Sequence, residues 1–339
     1  MRKATSILYA LLAAAFYAIS VPASKLLLGQ IGPTTMAALL YLGAGLGIGA
    51  MSLGKRERGE KLSKQDLPFV VGMIVLDIAA PIFLMLGIRY GTSSGASLLG
   101  CFEIVATTAI AMLLYGERVT KRLWAAIGLI TVSSILLSFE GAESFRLSLG
   151  SLFVLLATIC WGFENNCTRS ISSKSTYEIV VLKGLCCGFG SLLIALIRHE
   201  PMPQLRYLVP ALLLGYVAYG LSIFLYVRAQ RTLGAAKTSA YYAVAPFIGV
   251  FLSFLILREK PTGMYLLALA IMLAGTALVV VDTLIRNHAH AHQHLIVHTH
   301  DGSTHSHTVT HVHDHHHVVT EDKHGHHHTE QELEQEIGH

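Results

Sequence analysis

SLLGCFEIVATTAIAMLLYGERVT at residues 97–120 and SAYYAVAPFIGVFLSFLILREKPT at residues 239–262 read as two copies of one segment. Both are apolar runs that close on an acid among bases, Glu117 beside Arg118 in the first and Glu259 between Arg258 and Lys260 in the second. A helix of about 20 apolar residues crosses the roughly 30 Å hydrocarbon core of a bilayer, and each copy is long enough. A second register joins the same two parts of the chain. LLAAAFYA (11–18) aligns with LLATICWG (155–162), setting Tyr17 against Trp161 and Lys25 against Arg169. Working outward from these anchors, ten apolar runs emerge: 5–27, 33–54, 68–88, 95–115, 121–139, 148–168, 177–197, 207–230, 236–257 and 261–284. Five fall in each half, and an odd number of crossings puts the second half upside down relative to the first. The expected fold is therefore all-α and integral to the membrane, with ten transmembrane helices in two inverted five-helix repeats. The repeats span residues 1–140 and 147–285, and a His-rich soluble tail spans 286–339.

Composition points the same way. Hydrophobic residues make up 53% of the chain and charged ones only 14%, against about 25% charged in an ordinary soluble domain. Charge that sparse cannot cover a globular surface of this size, so lipid must. Orientation follows from Lys and Arg near the helix ends. With the N-terminus inside, the inner side collects 15 of them and the outer side 7. Ten crossings return the chain to the starting side, so both termini are expected in the cytoplasm, in a multi-pass protein of the plasma (inner) membrane. The first 25 residues have the basic start and small-residue site of a signal peptide. Their apolar stretch exceeds the roughly 7–15 residues usual for one, and the repeat needs it as a helix. The five cysteines sit inside apolar runs without metal spacing and read as packing residues.

Four ionisable residues fall well inside the spans: Asp77, Glu103, Glu164 and Lys183. A charge at the bilayer centre costs at least about 2.5–3.5 kcal/mol on insertion scales, so it is expected to face a cavity or a partner. Glu103 is the deepest and shares a helical face with Ala96, Gly100 and Thr107. Asp77 shares a face with Pro81, which brings no N–H to the helix. Glu164, followed by Asn165 and Asn166, lies near the end of its span, within reach of interfacial water. Lys183 either snorkels or pairs with one of the acids. Three acids against one base leave at least one carboxylate without a cation. Loss of water favours the protonated form of such a group, which suits a site where substrate and proton compete. Tyr216, Tyr219 and Tyr226 fall along one stripe of the eighth span, with Tyr242 and Pro246 in the ninth. Such stripes serve packing more often than binding. Beside unpaired acids, and with Trp161, they form a candidate lining for an organic cation or amphipathic metabolite.

The paired halves, the GER (116–118) and REK (258–260) endings of spans four and nine, and AVAPFIG at 243–249 resemble the drug/metabolite transporter superfamily, EamA type. The resemblance runs from residue 5 to about 284 and implies ten helices and transport of a small-molecule substrate. The family pattern has a proline in span four, as span nine has Pro246. This chain has Ile104 there, preceded by Glu103, which puts a carboxylate where the bend would be.

The tail carries 18 of the 19 histidines, within residues 288–339. Histidine-rich segments bind metal, and neutral imidazole suits zinc, nickel, cobalt or copper. Asp301-Gly302 is a strong two-residue hairpin turn between β-branched runs. Closing it sets 300 opposite 303, 298 opposite 305, 292 opposite 311 and 290 opposite 313. With side chains alternating, His290, His292, His298, His300, His305, His307, His311 and His313 are expected to share one face as metal ligands. Without metal the tail is expected to be disordered or frayed, since a lone hairpin is marginal in water.

The chain has no phosphate-binding loop, nucleophile elbow or HExxH motif, so it is not expected to be an enzyme or to need a cofactor in its membrane body. Export of a small organic solute by alternating access, driven by protons or exchange, with Glu103 and Asp77 as candidate proton or substrate carboxylates and Glu164 and Lys183 on the same pathway, is the favoured expectation. Two alternatives stay open: a Zn, Ni or Co exporter fed by the tail, and a metal sensor without transport. Expected partners are membrane lipid, the solute and divalent ions at the tail, with a homodimer allowed and nucleic acid not.

Overall fold

The computed structural model describes residues 3–53, 63–115, 119–139, 148–171, 175–233, 238, 241–300 and 303–318. It falls into two units, Met1–Val280 and Val281–His339.

The first unit is helical. Among the described residues eight helices are long and apolar enough to cross a membrane, and a shorter apolar one covers Ala245–Leu257. The first half contains α1 (Lys3–Ala18), α2 (Ser20–Leu27), α3 (Pro33–Ser52), α4 (Leu67–Tyr90), α5 (Ser93–Leu99), α6 (Phe102–Tyr115) and α7 (Lys121–Ser138). The second contains α8 (Leu149–Ser170), α9 (Thr176–Ile197), α10 (Leu205–Leu214), α11 (Ser222–Leu233), α12 (Ala245–Leu257) and α13 (Gly263–Leu284). A π-helical segment, Gly215–Leu221, joins α10 to α11. Large apolar side chains stand in the open around this unit, Leu113, Phe189, Leu193, Phe251 and Leu255 among them. Water would penalise that surface, whereas acyl chains match it.

Helix breaks follow from backbone chemistry. Pro22 supplies no N–H to the carbonyl of Ala18, and α1 stops there before α2 resumes at Ser20. Pro246 likewise offers nothing to the carbonyl of Tyr242 at the start of α12. The first half has no proline at the matching place, yet its helix also breaks. Cys101 N–H donates to Leu98 O at 3.1 Å and Glu103 N–H to Gly100 O at 3.1 Å, tight i→i−3 bonds around Gly100. Glycine thus makes the bend that proline makes in the second half, and Glu103 lies in the first turn beyond it.

Several helix partnerships join one half to the other. The α3–α9 pair meets at Gly45 and Gly184, and α4–α8 at Gly87 and Gly150. Ser222 Oγ on α11 donates to Ala13 O on α1 at 2.8 Å. The Ser93 and Ser253 hydroxyls lie 2.8 Å apart across α5–α12. Ser133 Oγ on α7 donates to Ala268 O on α13 at 2.7 Å. Exchanging the two halves leaves this set unchanged: three pairs map onto themselves, and α4–α8 maps onto α1–α11.

Two helix starts are capped from far away. The α3 N-cap, Gly32, has no side chain to offer, and Pro33 has no N–H. The next two donors, Thr34 and Thr35 N–H, reach Glu200 Oε1 and Oε2 at 3.2 and 2.8 Å. Burial by itself would push the Glu200 carboxyl up, but these bonds and the threonine side chains outweigh it and hold the carboxyl below its ordinary range. At α5, Ser93 and Ser94 N–H reach Glu259 Oε1 and Oε2 at 2.8 and 2.9 Å. Lys25, at the end of α2, donates to Ile88 O and Gly91 O at 2.5 and 2.6 Å, satisfying carbonyls at the C-terminus of α4.

The second unit contains an antiparallel pair of strands, β1 (Ile285–His300) and β2 (Ser303–Val318). Its register places His298 opposite His305, His292 opposite His311, His290 opposite His313 and His300 opposite Ser303. That is the register the Asp-Gly turn dictates, and the pairing runs away from the turn as far as Ile285 opposite Val318. The side chains of this hairpin, including the eight histidines expected as ligands, lie outside the described residues, as do Asp301, Gly302 and everything past Val318.

Candidate functional site

Four helices bring the intramembrane charges together. Lys183 on α9 places its Nζ 2.9 Å from Asp77 Oδ2 on α4 and 2.8 Å from Glu164 Oε1 on α8. Both acids are buried. Tyr41 on α3 donates its hydroxyl to Asp77 Oδ1 at 3.0 Å, and Thr168 donates to Glu164. Asp77 carries a further consequence of Pro81, because its own backbone carbonyl loses the helical N–H that would have faced it. So Lys183 pairs with two acids rather than snorkelling, and Glu164 is sealed from solvent rather than reaching interfacial water. Sequence position alone left both points open, because only the register between helices decides them.

Glu103 is the acid left over. Asn165 Nδ2 on α8 donates to Glu103 Oε1 at 2.7 Å and to Thr107 Oγ1 at 3.2 Å, so Glu103 and Thr107 do share one face. Asn166 holds Thr107 O and Gly162 O at 3.2 and 2.8 Å, which locks α6 onto α8 beside it. Among the described residues Glu103 has a neutral amide as its partner and no cation. With one lysine against three carboxylates, a fully ionised site carries two surplus negative charges, one on the Asp77–Glu164 pair that shares Lys183 and one on Glu103.

An unbroken run of tyrosines passes beside these groups. Tyr41 and Tyr219 have ring centroids 5.4 Å apart, Tyr219 and Tyr17 5.9 Å, Tyr17 and Tyr242 6.0 Å, and Tyr242 and Tyr226 5.1 Å. Tyr219 is buried and, among the described residues, its hydroxyl has no hydrogen-bond partner, a state that costs free energy unless something polar arrives to fill it. Trp161 is buried in the same apolar cluster as Tyr41 and Tyr219.

Tyr216 belongs elsewhere. Its ring covers Gly47, and its hydroxyl meets Met51 Sδ at 3.2 Å, so it packs α10–α11 onto α3 instead of joining the run. An α-helical stripe would have aligned it with Tyr219. The π segment between them holds more residues per turn and rotates Tyr216 off that stripe. Tyr17, Tyr41 and Asn165 were missed as site residues. Tyr17 was visible as the counterpart of Trp161, whereas Tyr41 sits in the apolar run LLYLGAGLG (39–47) with nothing to mark it.

The arrangement can bind a cation at one carboxylate, present aromatic faces to an apolar body, and hold a proton on Glu103 when the cation is absent. Such groups between two matched halves, next to broken helices, are the equipment of a secondary transporter. A curated relative from Methanothermobacter thermautotrophicus, described as an uncharacterized transporter, is 22% identical over 299 residues, which is 81% of this chain and 86% of its own length. A solved crystal structure aligns at 17% identity with a TM-score of 0.59, over 82% of this chain and 96% of its own, which shows likeness of fold. The model of one family, the EamA-like transporter family, matches twice, at residues 4–139 and 148–281. Matched across both halves, the chain belongs to the EamA-like transporter family and is a membrane transporter.

Proposed function

We propose that this chain exports a small organic solute, a metabolite, amino acid or cationic drug, by alternating access coupled to protons or to exchange. Its ten spans work as two inverted five-helix repeats in the plasma membrane, with both termini in the cytoplasm. One observation carries the reading: Glu103 is the intramembrane acid held by an amide rather than by the lysine. It can therefore trade a proton for a cationic group, beside tyrosines that would hold the rest of the solute. The set of helix partnerships that survives exchange of the halves supports the inverted repeat. Asp77, Glu164 and Lys183 form the neighbouring structural charge network, Trp161, Tyr219 and Tyr242 line the path, and Tyr216 keeps a packing role.

The tail adds a metal-binding regulatory element. Its register sets histidine against histidine at 290/313, 292/311 and 298/305, which supports a bound Zn, Ni or Co ion. The same histidines favour a second reading, in which the tail feeds a divalent metal to the body for export.

Three versions of the full chain separate these readings: intact, truncated after Asn287, and Glu103→Gln. In everted vesicles, uptake of tetraphenylphosphonium, choline and tryptophan is measured beside zinc uptake, at several pH values. Solute export predicts that Glu103→Gln lowers organic uptake about ten-fold or more and removes its pH dependence, while truncation abolishes zinc binding to the chain and spares organic uptake. Zinc uptake lost on truncation establishes the second reading. No flux of any probe in the intact chain leaves a sensor.

A further inference from the structure

We propose that Glu200 and Glu259 form a two-point latch by which the second half of the chain holds one membrane face shut, and that the change of access begins with its release. The inference rests on the alternating-access reading above.

The first observation concerns where helix caps come from. At α7 and α9 the cap is local: Thr120 and Ser175 each accept from an N–H three residues ahead. Such caps survive any movement of the halves. The start of α3 takes its cap from Glu200, 165 and 166 positions away in the other half. At α5, Gly95 N–H donates to Thr92 Oγ1 as a local cap, and Glu259 adds two bonds at the same long separations. The bonds from Glu200 and Glu259 exist only while the halves keep their present relation.

The second observation concerns how the carboxylates are delivered. Among the described residues, two that are not glycine have positive φ, His199 and Arg258, both at 53°. Each stands directly before one of the two glutamates. At the end of α9 the turn is complete, with His199 N–H on Leu196 O and Glu200 N–H on Ala195 O, both at 3.0 Å. This is the left-handed helix ending that glycine usually occupies. Conformations that side chains resist, used twice in the same way, mark positions under a constraint stronger than local preference. What the two share is that they turn a carboxylate back onto a helix start in the other half.

The third observation is fit. A Cβ on Gly32 would lie 2.2 Å from Glu200 Oε2, so the α3 start accepts Glu200 only because it lacks a side chain. Behind Glu259, the Ser93–Ser253 contact and the approach of Ser97 to Gly249 continue the closed α5–α12 seam inward. Helix order along the chain puts both contacts, and Lys25, on one face of the membrane. A helix start at that surface can exchange a carboxylate for water when the seam opens, so the latch is breakable.

The test uses the full chain with its native cysteines replaced and Ser97→Cys as reporter, since Ser97 is buried behind the latch. Labelling by a membrane-impermeant charged thiosulfonate is timed from each face in vesicles of defined orientation, with and without an imposed proton gradient. Glu200→Gln with Glu259→Gln is expected to raise labelling from the latch face about ten-fold and to lower it from the opposite face. Gly32→Ala, which displaces only the flexible end of Glu200, is expected to move both rates in the same directions by a smaller factor. If the parent responds to the gradient while both variants label within two-fold of it, the latch is wrong and alternating access stands. A parent labelled from a single face, whatever the gradient, overturns both.

Discussion

Lys183→Met is expected to yield a chain that reaches the membrane but has lost most of its thermal stability and all of its export. Lys183 is the one basic group shared by Asp77 and Glu164, at 2.9 and 2.8 Å, and it ties α9 to α4 and α8 together. Methionine keeps the apolar stem and removes the charge. What remains is a pair of buried carboxylates facing each other, one of them also fixed by Tyr41. Breaking a buried ion pair by removing one partner costs about 3–5 kcal/mol, far more than deleting an exposed one. Two acids losing one base stand at the upper end of that range. The loss is expected to come back when the acids are neutralised with it, because Lys183→Met with Asp77→Asn and Glu164→Gln replaces charges by groups that need no counter-ion. Melting of the detergent-solubilised chain, followed by loss of its monodisperse elution peak, measures this. A single variant as stable as the parent would mean the three charges do not form the network described. The triple variant also separates structure from function: restored melting with export still absent assigns the lysine a part in transport beyond holding the helices.

These charges were legible because lipid makes every intramembrane ion conspicuous. Asp77, Glu103, Glu164 and Lys183 could be picked out one by one, and the count of three acids to one base already implied an acid without a cation. Which acid that would be was not legible. It depends on how far α8 slides along α4 and α6, and Gly87, Gly150 and Gly162 set that offset through contacts across the halves. The tyrosines divide in the same manner. Tyr219 and Tyr242 came from periodicity, but periodicity misplaced Tyr216 because a π segment leaves no mark in composition. The repeat was read from Glu117 and Glu259, of which Glu117 lies outside the described residues. Glu259 drew notice as a marker of the repeat, whereas its bond to α5 needed the fold. Glu200 carried no signal, since an acid in a short loop is ordinary until a bare helix start is found beside it.

The second large effect is expected from one carbon atom. At the α3–α9 crossing, a Cβ built on Gly184 lies 2.5 Å from both Cα and N of Gly45 and 3.0 Å from Tyr41 O. Flexible side-chain ends could swing aside, but these are backbone atoms of a helix whose neighbours are buried on several sides. Close approach through small residues is how helices adhere in lipid, where no hydrophobic force drives them together. Gly184→Ala must therefore push α9 away from α3, and overpacking of this kind costs typically about 1–3 kcal/mol or more. The damage also reaches the site, because Lys183 precedes Gly184 on α9 and Tyr41 lies one turn before Gly45 on α3. Separating the helices pulls the ammonium and the tyrosine hydroxyl off Asp77 in opposite directions. Stability and export should fall together in Gly184→Ala, and Gly184→Val should give no folded protein. Gly49 and Gly128 supply the control, since nothing lies within 4 Å of a Cβ at either position. There alanine should be neutral or raise stability by up to about 1 kcal/mol, as it does wherever a helical glycine gives up backbone entropy to no purpose. Comparing the melting temperatures of the three alanine variants decides the matter: equal values would mean that the two helices do not touch backbone to backbone, and that the charge network they position has some other support.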